Sequence, residues 1–78
     1  MTLKIISTTE ILFEGEVSIV TLPGAKGRFT VLHNHAALVS TLVPGNIVFR
    51  NNSGEETTYT ISGGLADIDN NVISVCIY

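Results

Sequence analysis

At 78 residues the chain suits one domain, and 45% apolar with only 14% charged residues excludes a disordered polypeptide. A net charge of −3, a pI near 5.0 and four Lys and Arg argue against nucleic acid, which demands a basic stripe. A chain this short leaves about 40% of its unfolded surface uncovered, so a partner that covers apolar surface is expected.

In chain order, Thr2 to Ser7 alternates, with Leu3 and Ile5 on one face and Thr2 and Lys4 on the other, as a half-buried strand does. Thr8, Thr9 and Glu10 break it. Ile11 to Phe13 is a short apolar piece, and after Glu14-Gly15 the run Glu16 to Leu22 reads as a strand with Val17 and Ile19 on one face. Pro23-Gly24 and Pro44-Gly45 are turn dipeptides that end what precedes them. The loop from Pro23 to Gly27 leads into Arg28 to Leu32, where Phe29 and Val31 share a face.

Ala36 to Val43 could be a helical turn or a buried strand; Val39, Thr41 and Val43 are β-branched and favour the strand. Asn46 to Arg50 and Glu56 to Ser62 flank Asn51-Asn52-Ser53-Gly54, the clearest hairpin signal. Gly63-Gly64 marks a bulge or corner, Leu65 to Ile68 resumes, Asp69-Asn70-Asn71 turns, and Val72 to Tyr78 is a final strand. Cys76 is alone, which leaves no internal disulfide and favours an intracellular setting; its apolar run predicts a buried core residue. Eight to ten short strands without a helical period describe an all-β sandwich or barrel filling residues 1–78 as a single domain.

His33-Asn34-His35 is the sharpest chemical signal, since imidazoles on alternate residues of an extended segment point the same way and can share a metal ion. Gly27, six residues before His33, completes a resemblance to the first motif of the cupins, metal-binding β-barrels. That motif wants a carboxylate shortly afterwards, where this chain has Leu38, Val39, Ser40 and Thr41, and no third histidine exists. Scattered carboxylates and a missing base beside any serine or Cys76 leave nucleophilic and acid–base catalysis unsupported. Lys26 and Arg28 put half the basic residues in one turn, which would attract an acidic partner loop.

Several stretches resemble one family in their order and spacing: Phe13-x-Gly15, Gly24-x-x-Gly27, His35-Ala36-x-Leu38, Pro44-Gly45-x-Ile47, Ser62-Gly63-Gly64 and Asn71-Val72. They are similar to the N-terminal domain of the epsilon subunit of the bacterial rotary ATP synthase. The resemblance implies a flattened β-sandwich of about ten short strands, here without the C-terminal helical hairpin that the family commonly carries. It implies a noncatalytic rotor part of the central stalk, docked on the gamma subunit and on the c ring, which helps couple proton flow to ATP synthesis. It further implies a peripheral place on the cytoplasmic face of the inner membrane, without lipid insertion, cofactor or small-molecule substrate. By position, Gly24, Lys26, Gly27, Arg28 and Phe29 fall on the loop facing the ring, and His33, His35, Ala36 and Leu38 on the surface near gamma and the ring. Three departures stand out: Ala37 replaces a usual proline, Arg28 a common acidic residue, and His33-Asn34 a frequent Pro-Gly corner.

Overall fold

Period-two alternation decides most elements, because successive strand side chains point to opposite faces and one face can be buried. The computed structural model describes all of residues 1–78 and contains nine strands and no helix. They are β1 (Thr2–Ile6), β2 (Ile11–Glu16), β3 (Ile19–Gly24), β4 (Gly27–Val31), β5 (Leu38–Leu42), β6 (Gly45–Arg50), β7 (Glu56–Ile61), β8 (Gly64–Asp69) and β9 (Val72–Ile77). Hydrogen bonds link them in the order β2-β1-β9-β8-β5-β3-β6-β7, with β4 attached to β3. Every pair is antiparallel except β1 with β9.

This path folds over on itself. Phe13 of β2, from one end, meets Phe49 of β6, near the other, with ring centroids 4.5 Å apart. The Tyr59 hydroxyl on β7 donates to the Leu12 carbonyl on β2 at 3.1 Å. One layer is therefore β2-β1-β9-β8-β5 and the other β4-β3-β6-β7. The shortest extent of 18 Å is what two facing sheets about 10 Å apart occupy with their outer side chains. The flattened β-sandwich expected from the sequence is the architecture observed, with nine strands.

Leu3 and Ile5 of β1, Ala66 and Ile68 of β8, and Ile73 and Val75 of β9 face Val20 and Leu22 of β3, Val31 of β4, and Ile47 and Phe49 of β6. No polar or charged side chain is buried with them, so apolar burial and close packing hold the layers together. The three ion pairs, Met1 amino group to Glu16, Lys4 to Glu14 and Arg50 to Glu56, have exposed carboxylates. Such pairs contribute at most about 1 kcal/mol each.

Several local expectations are corrected. Strand β2 runs through Glu14-Gly15, and the chain breaks instead at Val17-Ser18, where the Ser18 N–H and hydroxyl both donate to the Arg50 carbonyl. The phase slips there, so Val17 and Val20 are buried while Ile19 is only half-buried. Pro23-Gly24 belongs to β3 and ends nothing: in this stretch β3 exchanges β6 for β5 as its neighbour, and a missing N–H is tolerated at such a break in the ladder. Cys76 is exposed, because Ile73 and Val75 fix the inward phase of β9 and turn it outward. Gly63, at φ +148°, makes the corner from β7 to β8, and any side chain on Gly64 would collide with the Cys76 backbone carbonyl on β9.

Asn70 and Asn71 close the β8–β9 hairpin with φ of 50° and 60°, the left-handed pair that a type I′ turn requires. Asn71 also reaches the β4–β5 connection. Its Oδ1 accepts the Asn34 N–H at 2.6 Å, and its Nδ2 donates to the Asn34 Oδ1 at 3.1 Å.

Two stability measurements follow from this packing. Ile73→Ala should cost about 2–5 kcal/mol in urea unfolding, the range for a fully buried aliphatic, whereas Cys76→Ser should stay within about 0.5 kcal/mol. Equal losses would show that Cys76 faces inward. Asn71→Gly keeps the left-handed backbone but removes the clasp. It should lower stability by about 1 kcal/mol and speed amide exchange at Asn34; unchanged exchange would mean that the turn holds without the clasp.

Candidate partner-docking site

The β3–β4 hairpin turns through only two residues, Ala25 and Lys26, between the paired Gly24 and Gly27. Both flanking glycines are needed. Gly27 has φ +124°, and a Cβ on Gly24 would lie 2.8 Å from both the Gly27 carbonyl and the Phe29 ring. The ring folded against Gly24 thus sets one wall of the hairpin, while Lys26 lies exposed at its tip and Arg28 exposed on β4.

Charge separates these two from the other basic residues. Lys4 and Arg50 pair with Glu14 and Glu56, but Lys26 and Arg28 pair with no carboxylate of the chain. Arg28 is positioned nonetheless, its Nη1 donating to the Asn46 carbonyl at 2.9 Å across Pro23 of the intervening strand. Fixed in place and without an internal carboxylate, the Arg28 guanidinium keeps donors free to meet an external anion.

Opposite the hairpin runs β5. Residues 24–29 and 38–41 line an open groove of about 480 Å³. It brings Gly24, Lys26, Gly27, Arg28 and Phe29 together with Leu38. His33, His35 and Ala36 lie outside it, on the connection from β4 to β5. Val39, Ser40 and Thr41 complete the wall, and sequence reasoning missed them as site residues. Val39 is 62% exposed, and a β-branched residue with a wet side chain leaves no mark in the hydrophobic pattern.

The two histidines do not stand on an extended strand. The His35 N–H donates to the Leu32 carbonyl at 3.1 Å and Asn34 has φ 64°, so His33 and Asn34 are the central residues of a type II turn. A Pro-Gly corner would take the same shape, so that departure preserves the backbone path. His35 Nδ1 lies 2.7 Å from the Ala36 carbonyl, and no group of three or more His, Cys, Asp or Glu is gathered anywhere in the chain. The cupin-like alternative on His33 and His35 therefore loses its geometry, because a closed site needs at least three protein ligands.

A second surface emerges from the register. Ile11, Ile6, Cys76 and Leu65 are cross-strand neighbours on the outer face of β2, β1, β9 and β8, forming one partly exposed apolar row. Cys76, between Ile6 and Leu65, has no base beside it in that row. Neither the groove nor the row assembles a nucleophile with a base.

Residues 1–77 match the family described as ATP synthase, Delta/Epsilon chain, beta-sandwich domain. Among curated relatives, the ATP synthase epsilon chain of Rickettsia typhi is 39% identical over 74 residues, covering 92% of this chain and 67% of that one. The ATP synthase epsilon chain of a Sulfurovum species is 41% identical over 69 residues, 88% of this chain and 54% of the relative. A chain of the cryo-EM structure of Euglena gracilis mitochondrial ATP synthase, OSCP/F1/c-ring in rotational state 1, superposes with a TM-score of 0.90 at 27% identity, over 96% of this chain and 48% of that one. A chain of the Tetrahymena thermophila mitochondrial ATP synthase central stalk/c-ring structure shares the fold, with a TM-score of 0.82 at 13% identity over 97% and 61% of the two chains. The chain thus spans about half to two thirds of the length of these relatives. With residues 1–77 matched to its beta-sandwich domain, the chain belongs to the ATP synthase delta/epsilon family.

Proposed function

We propose that this chain works as a noncatalytic rotor subunit in the central stalk of a proton-translocating ATP synthase. It docks on the gamma subunit and on the c ring, and by holding the two in register it helps couple proton flow to ATP synthesis. The observation that carries this reading is the whole-chain likeness, at a TM-score of 0.90, to a chain of an assembly described by its F1 and c-ring parts. The bare apolar row and the unpaired basic hairpin support it, since both are surfaces that a partner would cover.

In this reading Lys26 and Arg28 meet carboxylates on the polar loops of the ring, framed by Gly24, Gly27 and Phe29. His33, His35, Ala36 and Leu38 contact gamma and the ring. The subunit sits peripherally at the cytoplasmic face of the inner membrane, and bond chemistry is left to other subunits. An all-apolar interior suits a part that transmits force, because it offers no buried polar group able to exchange partners under load.

Binding to a gamma–c ring subcomplex tests the assignment. The wild-type chain should co-elute with gamma at micromolar concentration; two separate peaks would overturn the rotor reading. The Lys26→Glu, Arg28→Glu double variant should stay folded but bind the subcomplex at least about tenfold more weakly at low salt, a gap that narrows as salt screens the loop. Unchanged affinity at low salt would remove these two residues from the ring contact.

A further inference from the structure

Strand β5 is paired along its length on one side only. Residues 38–42 run antiparallel to β8, but on the other side β5 meets β3 only at Leu42, extended by the Ala25 N–H donating to the Thr41 carbonyl. In a strand the N–H and C=O of one residue point the same way, and alternate residues agree. The Thr41 carbonyl and the Val43 N–H both point toward β3, so the N–H and C=O of Val39 point to that side as well. There the hairpin has already turned away, and the backbone of Val39 opens into the groove.

Exposed strand edges are commonly blunted by charge, proline or a bulge. The edge strand β2 carries Glu14 and Glu16, and the edge strand β7 begins with Glu56. Leu38-Val39-Ser40-Thr41-Leu42 carries neither a charge nor a proline. The charges that share its groove are the unpaired Lys26 and Arg28, and Phe29 and Leu38 add apolar surface to its lining. The volume of about 480 Å³ lies within the ~300–1,000 Å³ of ordinary ligand clefts.

We infer that the groove accepts an extended acidic segment of a protein partner, which adds to the free edge of β5 as a strand through the N–H and C=O of Val39 while its carboxylates meet Lys26 and Arg28. Strand addition supplies affinity from main-chain hydrogen bonds, and flanking charges supply selection. The inference rests on the reading of the hairpin as ring-facing and names how that partner is held. A neutral or basic segment would satisfy the edge but leave the two cations uncompensated.

The probes are the gamma–c ring subcomplex and an end-blocked Glu-Val-Glu-Val-Glu-Val peptide, each titrated onto the 78-residue chain. Val39→Pro removes the outward N–H, which is not a donor in the ladder to β8, whereas Val39→Ala keeps the backbone donor. Val39→Pro should weaken binding of both probes about tenfold or more, and Val39→Ala by no more than about twofold. In the wild-type chain the Val39 amide should become at least about tenfold more protected from hydrogen exchange on binding, a readout that needs no variant. Wild-type affinity in Val39→Pro, or an unprotected Val39 amide in the bound chain, overturns strand addition. If Lys26→Glu still weakens binding in that case, the ring-facing reading survives without it; if the wild-type chain binds no subcomplex, both fall.

Discussion

Between Thr21 and Gly24, strand β3 gives up β6 and takes β5 as its neighbour, and this exchange is the constraint on which the molecule turns. It is where the two layers join. The bridge from Gly24 to Leu42 and the flanking hydrogen bonds from Ala25 to Thr41 and Val43 to Pro23 are the main-chain links between them. Because the link is short, β5 runs on without a neighbour on its β3 side, and the β3–β4 hairpin stands clear of it. The same short junction therefore closes the sandwich and opens the groove. Pro23 fits the change of partner, since the residue without a donor occupies the step where the ladder is interrupted.

Much of this was legible in the sequence, and the reason is periodicity. Leu3 and Ile5, Phe29 and Val31, and the Asn51–Gly54 hairpin obey local rules that tertiary structure had no cause to override. What escaped depended on pairing. Pro23-Gly24 has the composition of a turn, and only the partner exchange in three dimensions keeps it inside a strand. Val72 to Ile77 is apolar at nearly every position, so its phase is settled by Ile73 and Val75 packing inward; that sends Cys76 to the surface. At the site, composition drew attention to Lys26 and Arg28, but the bare edge at Val39 is a property of strand order and has no signature in residue type. The His33-Asn34-His35 pattern misled for a related reason: two histidines one residue apart share a face only in an extended chain, and the left-handed Asn34 bends this one.

The clasp between Asn34 and Asn71 shows how the loop beyond the groove is kept in place without an apolar anchor. Leu32 is exposed, so the turn from β4 to β5 gains little from burial. Its position comes instead from a side-chain amide in the β8–β9 turn that offers both an acceptor and a donor to one residue. Asn71 is available for this because its backbone is already fixed in the left-handed turn, which lowers the entropy lost in aiming the side chain. Two turns far apart in sequence thus brace each other at one end of the sandwich.

Such bracing bears on how a small domain can carry a mechanical load. A 78-residue sandwich has little stability to spare, and its exposed ion pairs add little more. Resistance to deformation must come from geometry: two layers sealed by apolar side chains, and loops fixed by hydrogen bonds at the rim. A partner seated across the groove would span the hairpin of one layer and β5 of the other, resisting separation of the layers where their backbone link is short. The groove lies beside the short backbone junction of the fold, so a partner bound there would stiffen the joint between the layers.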